Sequence, residues 1–195
     1  MIEVAFFLCG DAFPHDTPID TALRARLASG FSRWLGWPEI LGPTSTSGIP
    51  REFGERASLF QAYAERQGGM NRAVLFGRSS GARLATLYAS RNPVQAVVCV
   101  GYPFRFPGGD VEPERFAHLA DILVPTLIVQ GTSDPYGGLN AVTDYPLSPR
   151  VTVEFVETDH SYQLSDDAWN GVAQTIRNFF ARSGVSGGPD ALANV

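Results

Sequence analysis

Lysine is missing from this chain: all 15 of its basic residues are arginine, in a length of 195. Without lysine there is no Schiff-base chemistry, no phosphate-loop lysine and no Ser-Lys dyad. Cysteine is almost as scarce. Cys9 and Cys99 stand far apart in the chain, so they form no C-x-x-C redox or metal pair. Histidine occurs three times, at His15, His118 and His160, with no H-E-x-x-H or H-x-H spacing, which argues against a multi-histidine zinc site. No metal and no cofactor are therefore expected. No apolar run approaches the ~20 residues needed to cross a bilayer, so membrane insertion is not expected. The opening residues Met-Ile-Glu-Val carry no basic stretch of the secretory kind. A net charge of −5 without a basic cluster argues against a nucleic-acid partner, because neutralising phosphates takes clustered cations. Two unpaired cysteines in strand-like contexts fit a reducing, cytoplasmic setting.

What is present is an ordinary hydrophobic fraction of 44%, enough for one well-filled core at this length. Residues 1–183 are expected to form one domain, with a disordered tail over 184–195. Short apolar runs alternate with longer amphipathic ones. The strand candidates are 4–9, 73–76, 94–100, 126–130 and 151–156, with a weaker one over 34–41. Between them, Ile19, Leu23 and Leu27 recur at helical spacing after Thr17-Pro18, and Phe53, Ala57, Phe60 and Ala64 form a second stripe. Further helices are expected over 80–90, 113–123 and 166–182, the last with Trp169, Val172, Ala173, Ile176, Phe179 and Phe180 inward. Apolar strands separated by helices predict a mostly parallel sheet covered on both faces, a three-layer αβα sandwich. Cys9 and Cys99 would lie about two strand spacings (~10 Å) apart, too far for a disulfide.

The chemistry-bearing feature is Gly77-Arg78-Ser79-Ser80-Gly81, a G-x-S-x-G. Roughly one chain in seven of this composition carries such a motif by chance, so its context decides. It sits where an apolar strand ends and a helix begins, the setting of a nucleophile elbow. A serine hydroxyl needs a base, and the base needs an orienting acid. His160 follows the last strand, and Asp134 follows the strand before it; Asp159 and Glu157 compete with Asp134 for the acid role. The order Ser79, Asp134, His160 differs from that of chymotrypsin and subtilisin folds and matches the α/β-hydrolase order. All three residues fall just past strand ends, where parallel sheets place their sites.

Three stretches together, 75–83 around the elbow, 125–134 around the acid, and Asp159-His160-Ser161, resemble a small α/β-hydrolase of the lid-less, dienelactone-hydrolase-like branch. The resemblance covers roughly residues 4–182. It implies a minimal α/β-hydrolase fold that lacks the family's first two strands and a lid domain. Only about 25 residues separate two of the strand candidates where a lid would be inserted. By resemblance, Ser79 is the nucleophile, Asp134 the acid and His160 the base, in a serine hydrolase acting on a small-molecule ester or thioester. The backbone N–H groups of Ser80 and of Asp11 or Ala12 would hold the oxyanion. Where the family has His-Gly, this chain has Cys9-Gly10 followed by Asp11, whose carboxylate disfavours a nearby oxyanion unless it points away. Tyr102, Phe104 and Arg105 follow a strand at the same end of the sheet and are candidates for substrate contact, as are Trp34 and Trp37. Arg78 is expected either to bind a substrate carboxylate or to form an ion pair beneath the elbow. Two other readings stay open: a catalytically weak or inactive binding or scaffold protein on the same fold, and a phosphate-binding serine loop.

Overall fold

The computed structural model describes residues 4–12, 14–42 and 48–185. Six strands form one sheet: β1 (Val4–Leu8), β2 (Arg33–Leu35), β3 (Ala73–Arg78), β4 (Ala96–Val100), β5 (Thr126–Gly131) and β6 (Val151–Val156). Their order is β2-β1-β3-β4-β5-β6, and every neighbouring pair is parallel. The helices are α1 (Thr17–Leu27), α2 (Trp37–Leu41), α3 (Phe53–Arg66), α4 (Ser80–Ala89), α5 (Ala141–Asp144) and α6 (Asp166–Arg182).

Side-chain alternation assigns the two faces. Phe6 and Phe7 pair with Leu75 and Phe76 across β1 and β3. Phe6 meets Phe60 and Tyr63 of α3 at centroid distances of 6.3 and 5.5 Å, and Phe60 meets Tyr88 of α4 at 5.0 Å. Phe76 faces the other way, against Phe31, Trp34 and Phe180 of α6. Helices α3 and α4 therefore cover one face, and α1 with α6 the other. Strands β3 and β4 are buried along their whole length, which is why they read as continuous apolar runs rather than alternating ones. The inner face of α6 consists of the six residues its periodicity marks.

Three local expectations are corrected. The stretch 34–41 yields only the short strand β2, because Gly36 is extended, Pro38 sits in the first turn of α2, and the Glu39 carboxylate accepts the Gly36 N–H at 2.8 Å. The second helix, expected from about Pro50 to Gln67, is α3 and starts at Phe53, with Glu52 accepting from the Gly54 N–H. The expected helix over 113–123 is instead two 3₁₀ turns, Pro113–Arg115 and Ala117–Ala120. Between β4 and β5 the chain contains no α-helix. Of the expected disordered tail, Gly184 and Val185 instead cap α6: Gly184 has φ 65°, and Val185 is buried and donates its N–H to the Phe180 carbonyl at 3.1 Å. Residues 186–195 lie outside the described residues. Among the described residues, no helix is long and apolar enough to cross a membrane.

His118 packs beneath α4, its Nε2 2.9 Å from Thr86 Oγ1. Burial, reinforced by the charges of Arg83 and Arg91, lowers its pKa from 6.5 to about 4. The unfolded chain therefore binds the extra proton first, so stability is full above about pH 6.5 and falls as the pH drops toward 4. Melting curves across that window are expected to slope downward with acidity, and His118→Gln is expected to flatten the slope.

Candidate active site

Strand β3 runs directly into α4 with Ser79 at the junction. Ser79 has φ 50° and ψ −124°, a conformation that L residues rarely adopt and that costs ~1–3 kcal/mol. Two glycines make the turn possible by close approach. A Cβ on Gly77 would lie 2.5 Å from Ala82 Cα, and one on Gly81 would lie 2.0 Å from the Leu8 carbonyl oxygen. The N-terminus of α4 is thus pressed directly onto the end of β1.

His160 and Asp134 arrive on the loops after β6 and β5. The imidazole Nε2 is 3.1 Å from Ser79 Oγ, and its Nδ1 is 2.8 Å from Asp134 Oδ2. With Nδ1–H donating to the carboxylate, Nε2 is left as an acceptor facing the serine. The Asp134 side chain is fully buried, and its second oxygen accepts the Tyr136 N–H at 2.9 Å. The Tyr136 ring lies against the imidazole at a centroid distance of 4.2 Å, restricting its rotation. The rival acids face elsewhere. Asp159 is exposed and accepts from the Ser161 N–H and hydroxyl, which hold its carboxyl below the usual range, and Glu157 is exposed.

The expected oxyanion loop is built differently from its sequence reading. The Asp11 N–H donates to Ser80 Oγ at 3.1 Å, so in this arrangement it is not presented to Ser79. The Ser80 hydroxyl donates in turn to Asp11 Oδ1 at 3.2 Å, which fixes the carboxylate on Ser80. Arg56, fully buried on the inward side of α3, donates from Nη2 to Ser80 Oγ at 2.9 Å and from Nη1 to the Cys9 carbonyl at 3.1 Å. A buried guanidinium thus sits beneath the Asp11 carboxylate and offsets its charge. The Ser80 N–H, at the start of α4, has no i−4 partner within the helix. Arg56 was legible as a charge on an apolar stripe, three residues after Phe53 and four before Phe60.

Of the proposed substrate contacts, Tyr102 and Phe104 are corrected: both are completely buried. The Tyr102 hydroxyl donates to the Arg115 carbonyl at 2.6 Å, and Phe104 stacks on Tyr145 at 4.6 Å. Arg105 stays at the surface beside the acid loop, with Nε 3.4 Å from the Pro135 carbonyl. The exposed aromatic of that segment is Phe106, half-exposed and 6.2 Å from Tyr136. Trp34 packs on Phe76, while Trp37 lines a cleft of about 690 Å³ at the C-terminal ends of β1 and β2, with Phe7, Cys9, Asp16, Pro38 and Ile49. Cys9 and Cys99 are free and buried. Burial and the charge of Asp16 push the Cys9 thiol up to about 12, so it is not a thiolate at neutral pH. His15 is exposed. Arg78 forms the expected ion pair beneath the elbow, with Asp16. Among the described residues, no three His, Cys, Asp or Glu side chains gather around a metal-sized site.

The family model described as an alpha/beta hydrolase domain matches residues 50–183, more than half of the chain. The esterase domain of a Rhodothermus marinus protein superposes with a TM-score of 0.64 at 15% identity, over 93% of this chain and 87% of that one. An alpha/beta hydrolase enzyme from the metagenome of lagoon sediments at Mar Chica, Morocco, gives 0.60 at 16% identity, over 94% and 93%. A loop variant of a haloalkane dehalogenase from Bradyrhizobium elkanii gives 0.61 at 14% identity, over 93% and 91%. At these identities the structural likeness establishes the fold, and no curated protein sequence matches. With the parallel six-stranded sheet and the strand-to-helix turn at Ser79, the match over residues 50–183 places this chain in the alpha/beta hydrolase family.

Proposed function

We propose that the protein is a serine hydrolase of the lid-less, dienelactone-hydrolase-like branch, cleaving a carboxylic ester or thioester through an acyl-Ser79 intermediate. The observation that carries this reading is the hydrogen-bonded series from Ser79 Oγ through His160 to Asp134, at 3.1 and 2.8 Å, on a serine held at positive φ. His160 Nε2 takes the Ser79 hydroxyl proton as Oγ bonds to the acyl carbon. Asp134 orients the ring and stabilises the imidazolium. The Ser80 and Ala12 N–H groups stabilise the oxyanion, aided by the N-terminus of α4. Collapse breaks the acyl C–O or C–S bond, and the imidazolium proton goes to the leaving alcohol or thiol. Water, deprotonated by His160, then attacks the acyl-enzyme and regenerates Ser79.

Phe106, half-exposed, offers an apolar wall on the Tyr136 side, whereas the cleft at Trp37 is lined by none of Ser79, Asp134 or His160. No α-helix intervenes between β4 and β5, which supports an open site without interfacial activation. The free, buried cysteines fit the cytoplasmic setting. The haloalkane dehalogenase and esterase relatives frame the chemistry, and the acyl reading is favoured by the serine at the elbow. The binding-module reading draws on a single observation, the engagement of the Asp11 N–H with Ser80.

A panel of esters and thioesters of graded acyl length tests the proposal. Turnover with a defined chain-length optimum is expected; a folded protein that turns over none of them contradicts it. The Arg56 latch makes a further expectation. Arg56→Met removes the cation that offsets Asp11, so kcat is expected to fall roughly tenfold, the effect of one charge pair worth ~1.4 kcal/mol. Asp11→Asn in the same background is expected to recover much of that loss; an additive loss instead would show that the two residues act independently.

A further inference from the structure

The residue immediately before the elbow serine is a buried cation with contacts to several loops. Arg78 is 4% exposed. Its Nη1 donates to the Val100 carbonyl at 3.3 Å and to the Gly101 carbonyl at 3.4 Å. Its Nη2 donates to the His160 carbonyl. Nη1 also lies 3.3 Å from His160 Nε2, on the nitrogen that faces Ser79. The guanidinium rests on the Tyr162 ring at 5.1 Å, and Tyr162 is itself held at φ 54° with its hydroxyl donating to the Val129 carbonyl at 2.7 Å. Asp16 balances the charge, its Oδ1 3.6 Å from Nε, while Asp16 Oδ2 accepts the Gly10 N–H at 2.6 Å. Gly101 leaves the space for this arrangement, since a Cβ there would lie 2.5 Å from Nη1.

One side chain therefore ties together the loops after β1, β4 and β6 at the point where the nucleophile strand ends. We infer that Arg78, charge-balanced by Asp16, is a positioning residue that clamps the His160 loop to β3 and holds the imidazole on Ser79 Oγ. The inference rests on the reading of Ser79, His160 and Asp134 as the reacting set. The physical reason is local. His160 is anchored by no regular element, being four residues past β6, and its ring needs two fixed points to hold Nε2 at hydrogen-bond distance. Asp134 fixes Nδ1, and Arg78 fixes the backbone of the same residue. An uncompensated guanidinium beside Nε2 would oppose the imidazolium that forms during proton transfer, and Asp16 supplies the compensation. The charged and titratable groups on the ring are thus Asp134 from the β5 loop, Arg78 from β3 with Asp16 behind it, and Tyr136; Asp159 in its own loop is turned to solvent.

The test uses three full-length variants, Arg78→Met, Arg78→Lys and Asp16→Asn, each checked for folding by thermal melting. The imidazole of His160 is titrated by NMR, and kcat and KM are measured on the best ester. Removing the guanidinium takes away the positive charge 3.3 Å from Nε2, so Arg78→Met is expected to move the His160 midpoint up by about one pH unit. Asp16→Asn leaves the cation unbalanced and is expected to move it down by a similar amount. In Arg78→Met kcat is expected to fall 10- to 100-fold with KM changed less than about twofold, since the residue touches His160 and not substrate. Arg78→Lys is expected to recover part of kcat. If Arg78→Met does not fold, the Asp16→Asn midpoint decides. Midpoints that do not move, or that coincide at the value of a solvent-exposed imidazole, overturn the inference. Fluorophosphonate labelling of the wild type reads the hydrolytic proposal separately. An unlabelled wild type with opposed midpoint shifts overturns that proposal and leaves the clamp standing, and a labelled wild type with unmoved midpoints does the reverse.

Discussion

Replacing Ser79 by alanine is expected to lower ester turnover by on the order of 10⁶ in kcat, the effect seen when the nucleophile of a cooperating triad is removed. Neither His160 nor Asp134 is positioned to take over. The imidazole Nε2 points at Ser79 Oγ, and Asp134 is sealed beneath the ring with both oxygens engaged. The neighbouring hydroxyl, Ser80, is committed to Asp11 and Arg56. Cys9, the nearest thiol in sequence to the oxyanion loop, is held protonated by burial. Among these described residues no second nucleophile stands in reserve, and the residual rate should come only from binding and the oxyanion donors. Alanine shares the backbone preference of serine, so the strain at φ 50° persists and the melting temperature should change little. Residual turnover above about 1% of wild type, at unchanged folding, would show that Ser79 is not the nucleophile.

The largest expected effect on the fold comes from Gly81→Ala. The added Cβ would meet the Leu8 carbonyl oxygen at 2.0 Å and the Cys9 carbonyl oxygen at 2.6 Å, and both are backbone atoms of a central strand and its exit. Neither side can yield without moving β1 or backing α4 away from the sheet. A cost of about 3 kcal/mol or more is expected, within the range of overpacking in a rigid core. For a chain of this length that is a drop of roughly 6–12 °C in melting temperature. Activity should fall further than stability alone requires, because α4 carries Ser80 and starts at the strained serine. Gly171→Ala is the control. It lies in α6 with nothing within 4 Å of a built Cβ, and is expected to stabilise by about 0.4–1 kcal/mol. Equal effects of the two substitutions would show that the close approach of α4 to β1 is not what requires glycine at 81.

The sheet was legible because parallel strands buried on both faces leave largely apolar runs, and 73–76, 94–100 and 126–130 fall on β3, β4 and β5. Ser79, Asp134 and His160 were legible for a related reason: each stands a few residues past a strand end, and the structure brings their side chains within hydrogen-bond reach. What failed were features decided by three-dimensional contact rather than by local pattern. Tyr102 and Phe104 follow a strand at the active end, yet their rings turn into the core because Arg115 and Tyr145 receive them. The Asp11 N–H was expected to serve an oxyanion, and the Ser80 hydroxyl takes it, an interaction between residues 69 positions apart. The segment 34–41 suggested one strand, and it divides at Gly36 into the end of β2 and the helix α2, which Pro38 and the Gly36–Glu39 hydrogen bond start. An ion pair for Arg78 was expected from its place in the elbow, but its partner Asp16 became visible only when β1 and β3 were placed side by side.

The central claim is that Ser79 is a nucleophile activated by His160. Incubation of the folded protein with a fluorophosphonate, followed by intact mass and peptide mapping, tests it most directly. One adduct per chain is expected on the peptide containing Ser79, absent in Ser79→Ala and sharply reduced in His160→Ala. A folded wild type that forms no adduct, or an adduct that survives in Ser79→Ala, would contradict it.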